Sequence, residues 1–253
     1  WQSLVIPMEE LDASIHQVWS PVSHLNSVMN SDELRVAYNA CLPKLSEFST
    51  ELGQNEALYK AYKTLAESEQ YLTLDVAQKK VIDNAVRDFR LSGVELSQAD
   101  RYEFKTLSQS LTELTAKFEE NVMDATHAWK KLITDETLLS GLPDSAKAMA
   151  AQMAEREEKV GWLFTLDFPS YLPVMTYADN RELREEMYTA FATRASDQGP
   201  GAGKWDNTAV IDEILSLRHQ LANLIGFDNH AQRSLATKIC LLYTSDAADE
   251  EDS

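Results

Sequence analysis

The chain has 253 residues, of which 44% are hydrophobic, and a formal net charge of −18. A chain of this length can bury a substantial core, so we expect one or two globular units. The acidic charge argues against a nucleic-acid partner, because a nucleic-acid-binding surface needs clustered Lys and Arg to displace counterions. The 8 Gly and 7 Pro are few, and the stretches between them are rich in good helix formers, which predicts a mainly α fold.

Cysteine content and hydropathy indicate the compartment. Cys41 and Cys240 are the only cysteines and lie far apart in the sequence, which argues against a disulfide framework or a thiolate metal site and favours a reducing compartment. No apolar run is long enough to span a membrane, and no signal-like segment opens the sequence. We therefore expect a cytoplasmic protein without a membrane partner, and the sequence leaves its oligomeric state open.

Two helices are predicted in the first part of the chain. Apolar residues recur at helical spacing from the start, and Pro21 is expected to end this first helix because proline lacks a backbone N–H. Asn30 and Glu33 stand at the spacing of a capping box and predict the start of the second helix. Pro43 is expected to bend that second helix.

Two further helices follow, and one of them is long. The first is predicted over residues 75–91, with Gly93 as its stop. The strongest periodic signal comes after Ser97, where one face stays apolar as far as Leu132 and predicts a helix of about 35 residues. We interpret this apolar face as a core stripe, and a binding groove for a partner helix is the alternative.

A short β element is predicted around residues 160–176. Apolar residues alternate with other types over residues 160–167, which is typical of a strand with one buried face. Pro169 and Pro173 follow, and each is expected to force extended geometry on the residue before it. This is the main predicted interruption of the helical pattern.

The last predicted helices and the domain boundaries complete the organisation. Asp179 is expected to cap one helix, and Asn207 is expected to cap another that Gly226 closes. Neither a repeat nor a flexible linker divides the chain, so we interpret residues 1–238 as one domain, an antiparallel long-helix lobe. Residues 239–253 form an acidic tail that is predicted to be disordered or artefactual, with an acidic interaction tail as the alternative.

The motifs of common catalytic sites are missing. A zinc peptidase of the HExxH type needs two His residues at i and i+4, and none of the five His residues has such a partner. Asp124 and His127 come nearest, and we interpret them as an ordinary surface or core pair. The segment 199–204 superficially resembles a phosphate-binding loop, but Trp205 stands where that motif requires Ser or Thr. We assign no catalytic residue and no metal ligand.

Five segments, in their order and spacing, carry a family resemblance. They are residues 20–27, 77–89, 166–177 (LDFPSYLPVMTY), 193–207 and 217–227. Through them the chain resembles the thimet oligopeptidase family of zinc metallopeptidases over about residues 1–238. The resemblance implies a prolate, largely helical enzyme with two lobes beside a deep channel. Short peptides enter this channel and folded proteins do not, and HExxH with a later Glu binds one zinc ion.

The same resemblance implies that the chain is part of a longer protein. It would supply most of the N-terminal lobe, whereas the first residues of the family pattern and the whole zinc site would lie outside it. Zinc and short peptide substrates are therefore expected for the parent protein, and this chain alone is expected to bind no zinc and to be inactive. The pattern departs from the family after Lys238, where the tail resembles a translated sequencing adapter joined to a truncated gene.

Two functions remain open from the sequence. In the first, the parent is a cytosolic zinc endopeptidase and this chain walls its substrate channel. Irregular segments on a rigid scaffold often carry function, so we place candidate channel residues in the irregular segment 194–207. These candidates are Arg194, Asp197 and Trp205. In the second, the chain is a non-catalytic helical module that binds a peptide or a partner through its apolar seams.

Overall fold

The computed structural model describes residues 1–238, which are mainly helical. The helices are α1 (Val5–Val28), α2 (Asp32–Gly53), α3 (Glu56–Ala66), α4 (Glu69–Thr73), α5 (Val76–Leu91), α6 (Gln98–Ala128), α7 (Asp144–Arg156), α8 (Phe168–Tyr177), α9 (Arg181–Ala192), α10 (Thr208–Leu224) and α11 (His230–Leu235). The strands are β1 (Lys130–Ile133) and β2 (Trp162–Thr165), and a 3-10 helix spans Glu136–Leu139. The predicted mainly α class is confirmed.

The chain packs into two compact units. Among the described residues, unit 1 comprises Trp1–Leu114 together with residues 214–238, and unit 2 comprises Thr115–Glu213. The prediction of a single domain over residues 1–238 stays a prediction. Residues 239–253, the predicted tail, lie outside the described residues.

Unit 1 has its core between its N-terminal helices. Its buried cluster consists of Val5, Tyr62, Leu65, Ile82, Phe89 and Val94. Helices α1 and α2 pack on each other, with the rings of Trp19 and Tyr38 stacked at a centroid distance of 5.0 Å. Asp75 caps α5 in a capping box with Gln78, and Gly93 follows this helix at φ 80°, so the third predicted helix is confirmed at both ends.

Two predicted boundaries in unit 1 are wrong. Helix α1 continues through Pro21 to Val28. Pro21 is exposed, and so is Gln17, whose carbonyl loses its helical partner, so water can hydrate the freed group. The second helix is capped by Ser31, whose Oγ accepts from the Leu34 N–H at 3.2 Å, and not by Asn30. The first error arises because Pro21 lies on the solvent-exposed face of α1. The second arises because the neighbouring Ser31 caps α2.

Unit 2 is built on a two-stranded antiparallel sheet covered by helices. Strand β1 pairs with β2 in a register that places Lys130 opposite Thr165 and Ile133 opposite Trp162. Helices α7 and α8 pack against β2. The buried cluster of this unit consists of Ile133, Leu139, Leu142, Ala150, Phe164, Val174, Ala178, Leu183 and Met187.

The predicted long helix ends earlier than expected, because its last residues form β1. Helix α6 spans Gln98–Ala128, and Leu132 belongs to the strand. Short apolar stretches fit either period, and pairing with a strand about thirty residues away decides between them. The prediction of one β element is therefore incomplete, since β2 lies where it was expected and β1 was missed.

The segment around the two prolines is also helical rather than extended. Pro169 is the second residue of α8, where its missing N–H costs no helical hydrogen bond. Pro173 lies further inside the helix, which still forms and fully buries the side chain of Val174. The one-sided burial predicted for the strand is wrong as well. Leu163 and Phe164 are both buried, because β2 has packing partners on both faces.

The cap of the next helix lies one residue after the predicted cap, Asp179. Asn180 caps α9 by accepting from the Leu183 N–H at 3.0 Å. Asp179 instead accepts a hydrogen bond from the Ser140 hydroxyl at 2.7 Å. None of the helices within residues 1–238 combines the length and the apolar character that crossing a membrane requires.

Candidate functional site

The connection between α9 and α10 is an ordered loop over residues 193–207 in unit 2. The Asn207 N–H donates to the Ala195 carbonyl at 3.0 Å, and the Gly203 N–H donates to the Ser196 carbonyl at 3.1 Å. Gly199 has φ 73°, and a Cβ there would lie 1.9 Å from Oγ1 of Thr193. Glycine is therefore required at this position, and the hydrogen bonds within the loop define its backbone conformation.

Buried amide groups fasten the end of this loop to α6. Nδ2 of Asn121 donates to Oδ1 of Asn207 at 2.7 Å, and Nδ2 of Asn207 donates to the Phe118 carbonyl at 3.1 Å. Asn207 stands directly before α10 at its N-cap position, where its carbonyl accepts from the Ile211 N–H at 2.8 Å, while its side chain is bonded inside unit 2. Asp206 also accepts from the Thr208 N–H at 2.9 Å, and hydrogen bonds from Thr208 lower the pKa of the Asp206 carboxyl.

Arg194 lies at the start of the loop with its guanidinium held on three sides. The guanidinium carbon is 3.6 Å from the centroid of the Phe191 ring. Its Nε donates to the Phe191 carbonyl at 3.0 Å, and Nη1 donates to the Thr126 hydroxyl at 3.2 Å. Burial lowers the pKa of this guanidinium. Within residues 1–238, no carboxylate forms an ion pair with it.

The ring beneath Arg194 is part of a short stack. Phe191 of α9 stacks on Tyr171 of α8 with a centroid distance of 4.0 Å and an interplanar angle of 14°. Burial is also the main reason why the pKa of the Tyr171 phenol is raised. Tyr171, Phe191 and Arg194 therefore form a layered arrangement that fixes where the guanidinium lies.

A cavity of about 230 Å³ opens beside this guanidinium. It lies wholly within unit 2 and is lined by Ala125, Ala128, Trp129, Leu166, Ala190, Thr193, Arg194, Ala195, Pro200, Gly201, Lys204 and Trp205. The lining combines two indole rings with two cationic side chains and contains no Asp or Glu. Nζ of Lys204 lies 4.1 Å from the centroid of the Trp205 ring. We call this space the cationic cavity.

The structure brings together two of the three predicted channel residues. Arg194 and Trp205 both line the cationic cavity, whereas Asp197 is exposed and is not part of its lining. Sequence reasoning missed Trp129 because it placed this residue inside the long helix. It considered Lys204 only for a phosphate loop, although the adjacent Trp205 was a usable signal.

The His, Cys, Asp and Glu side chains of the described residues are spread apart. Among residues 1–238, no three side chains of His, Cys, Asp or Glu lie close enough together to hold a metal ion. These residues therefore do not fit a zinc site. What unit 2 offers chemically is a small, partly enclosed surface with aromatic faces and cationic hydrogen-bond donors.

Comparisons with known proteins assign the family. The family model "Neurolysin/Thimet oligopeptidase, N-terminal domain" matches residues 1–101, and the model "Peptidase family M3" matches residues 174–241. Oligopeptidase A of Escherichia coli (strain K12) is 56% identical over 239 residues, which is 94% of this chain and 35% of the relative.

Other relatives agree. Oligopeptidase A of Haemophilus influenzae is 53% identical over 94% of this chain, and "Probable cytosolic oligopeptidase A" of Arabidopsis thaliana is 41% identical over 97% of it. The chain spans about a third of the length of these relatives, 35% in each case. By these matches the chain belongs to the thimet oligopeptidase family, peptidase family M3, and is similar to the oligopeptidase A proteins of that family.

Proposed function

We propose that this chain is part of a cytoplasmic zinc endopeptidase that hydrolyses short peptides, and that its unit 2 contributes a wall contacting the peptide. The observation that supports this most strongly is the 56% identity to oligopeptidase A over 94% of the chain. The name of the Arabidopsis thaliana relative, "Probable cytosolic oligopeptidase A", is consistent with the compartment. Zinc would be bound by residues outside the described part, because residues 1–238 bring no suitable ligands together.

The role of the chain in this function is contact with substrate. The cationic cavity presents the indoles of Trp129 and Trp205 together with the guanidinium of Arg194. Flat apolar rings and fixed donors are the groups that bind peptide side chains and polar ends. Asp197, exposed on the same loop, remains a candidate for contact outside the cavity.

A chimera tests the proposal. Residues 1–238 of this chain would replace the aligned segment of the Escherichia coli oligopeptidase A, and cleavage of a fluorogenic short peptide would be measured with and without a zinc chelator. We expect a folded chimera that cleaves the peptide and loses activity on chelation. A folded chimera without cleavage would contradict the proposal.

The isolated chain and the gene provide the complementary tests. The 253-residue chain supplied with zinc is expected to give no turnover, and metal-dependent cleavage by it would overturn the placement of the zinc site. A source reading frame that continues past Lys238 into HExxH supports the enzyme. A natural stop codon there would instead favour a non-catalytic helical module that binds a peptide or partner.

A further inference from the structure

The charge of the cationic cavity is opposite to that of the chain. The chain carries a net charge of −18, with 41 acidic residues against 23 Lys and Arg. Nevertheless the residues lining this cavity include Arg194 and Lys204 and no carboxylate. A concave surface with one sign of charge concentrates ligands of the opposite sign. The cavity therefore selects for an anionic group.

Arg194 has donors left for such a group. One N–H at Nε and one at Nη1 are used by the Phe191 carbonyl and the Thr126 hydroxyl. The other N–H groups of the guanidinium have no partner among the described residues. A half-buried cation without a counter-charge is costly, and a ligand that accepts two parallel hydrogen bonds would relieve that cost. The contact of 3.6 Å between the guanidinium carbon and the centroid of the Phe191 ring already holds the guanidinium in place for such a ligand.

The loop chemistry favours a carboxylate over a phosphate. Phosphate-binding loops use free backbone N–H groups. Here the N–H groups of Ala202, Gly203 and Lys204 already donate to carbonyls within the loop, at 3.1 to 3.2 Å. The volume of about 230 Å³ suits a single amino-acid residue and not a nucleotide. The two indole faces supply the apolar contact that a peptide residue needs.

The surface next to the cationic cavity carries the opposite charge. A second cavity of about 390 Å³ shares Trp129 and Pro200 with the first, and its lining includes Glu182, Glu185 and Glu186. A carboxylate is repelled by these glutamates and attracted by Arg194. An anionic peptide group is therefore steered to one side of Trp129.

We infer that the cationic cavity is a subsite for a peptide carboxylate, with Arg194 as the bidentate donor and Trp129 and Trp205 as the walls for the residue that carries it. This inference rests on the proposed function and adds the substrate class. Two sources supply the same chemistry, namely the C-terminal carboxylate of a peptide and the side chain of Asp or Glu. Lys204 contributes attraction without a fixed bidentate geometry.

Binding to the 253-residue chain tests the inference. The probes are N-acetyl-Ala-Phe with a free carboxylate, its C-terminal amide, N-acetyl-Ala-Glu-Ala amide and inorganic phosphate. Affinity is measured by calorimetry, and the indole N–H resonances of Trp129 and Trp205, assigned with Trp→Phe variants, report the location.

We expect the free acid to bind at least tenfold more tightly than its amide and to shift those two indole signals. Comparable binding of the Glu peptide shows that the site accepts an acidic side chain as well as a C-terminal carboxylate, and weak binding of the Glu peptide locates the source at the C-terminus. Either result supports a carboxylate site.

Substitutions assign the donor. Arg194→Gln is expected to weaken binding of the free acid by about tenfold to a hundredfold, which is the range for charge-assisted hydrogen bonds. The affinity of this variant for the amide should stay unchanged. Arg194→Lys should recover part of the loss because it restores charge without the planar fork. Arg181→Gln is the matched control, since Arg181 is an exposed residue of α9 outside the cavity lining. Its affinity for the free acid should equal that of the wild type.

Several results would overturn the inference. They are equal binding of acid and amide, tighter binding of phosphate than of the free acid, and an unchanged affinity in a folded Arg194→Gln variant. If that variant does not fold, the comparison of acid with amide on the wild-type chain still decides. An active chimera with equal binding of acid and amide rejects the subsite alone. Selective carboxylate binding with a folded, inactive chimera rejects the peptidase proposal alone.

Discussion

The buried side-chain amides of Asn121 and Asn207 share a hydrogen bond of 2.7 Å, which ties the end of the 193–207 loop to helix α6 within unit 2. Asn207 also donates to the Phe118 carbonyl, so a single side chain has both of its polar atoms satisfied in a dry environment. This arrangement holds the segment that carries Trp205 in place. The stability of unit 2 and the shape of the cationic cavity are therefore coupled.

Replacing Asn207 with Ala should destabilise unit 2 by about 1–3 kcal/mol, because it removes two hydrogen bonds and leaves the buried Asn121 amide without its acceptor. The measurement is the urea midpoint at constant slope. Gln152→Ala is the control, since it removes an exposed amide of α7 and should change stability by less than about 0.5 kcal/mol. Equal effects of the two substitutions would show that the amide pair is not a stabilising contact.

Two glycines with positive φ should respond differently to Ala. At Gly141 φ is 85°, and a Cβ would lie 2.2 Å from the backbone oxygen of Tyr177. At Gly203 φ is 74°, and nothing lies within 4 Å of a Cβ. Both variants incur the left-handed strain of about 1–2 kcal/mol, and only Gly141→Ala adds a backbone clash. The midpoint temperature of thermal unfolding should be clearly lower for Gly141→Ala than for Gly203→Ala, and the reverse order would refute this account.

How far sequence reasoning reaches depends on the range of the interactions involved. Asp75 with Gln78 was predictable as a helix start because a capping box is complete within four residues. The end of α6 was not, because Leu132 is placed in a strand by pairing with Leu163, far along the chain. The same limit applies to unit 2. Arg194 and Trp205 were found from local loop composition, whereas Trp129 joins them only through the fold.

Proline placement marks a second limit. The pattern around Pro21 and Pro173 predicted an interruption of helical structure, and both residues lie inside helices. A proline removes one hydrogen bond, and its effect depends on what surrounds the freed carbonyl and on what the helix buries. Exposure of the α1 face and burial of Val174 decide these two cases, and neither can be read from local sequence.

The acid response of unit 1 should depend on Tyr59. Its hydroxyl donates to Glu95, and this hydrogen bond is the main reason why the pKa of the Glu95 carboxyl is lowered. Tyr59→Phe should therefore raise the pKa of Glu95 towards its ordinary value, measured by NMR titration of that carboxyl. Because the folded-state pKa is lowered, the stabilisation is present above the unfolded pKa and is lost as the pH falls through the folded value.

The stability difference between wild type and Tyr59→Phe should accordingly be largest near neutral pH and shrink as the pH falls below about 4. Tyr71→Phe is the control, since the Tyr71 hydroxyl donates to Asp83 at 2.8 Å and should leave the pKa of Glu95 unchanged. An unchanged Glu95 titration in Tyr59→Phe would contradict the assignment of this hydrogen bond as the dominant cause.

Small side chains on α7 should be essential where that helix meets the sheet of unit 2. Ala154 is fully buried, whereas Ala148 on the same helix is exposed, and α7 packs against β2. Ala154→Leu should destabilise unit 2 by about 1–3 kcal/mol, because a close-packed core accommodates a larger side chain only by shifting its neighbours. Ala148→Leu should change stability by less than about 0.5 kcal/mol. The measurement is the urea midpoint of each variant. Equal midpoints for the two leucine variants would mean that α7 can move away from β2 without cost, which close packing of the core forbids.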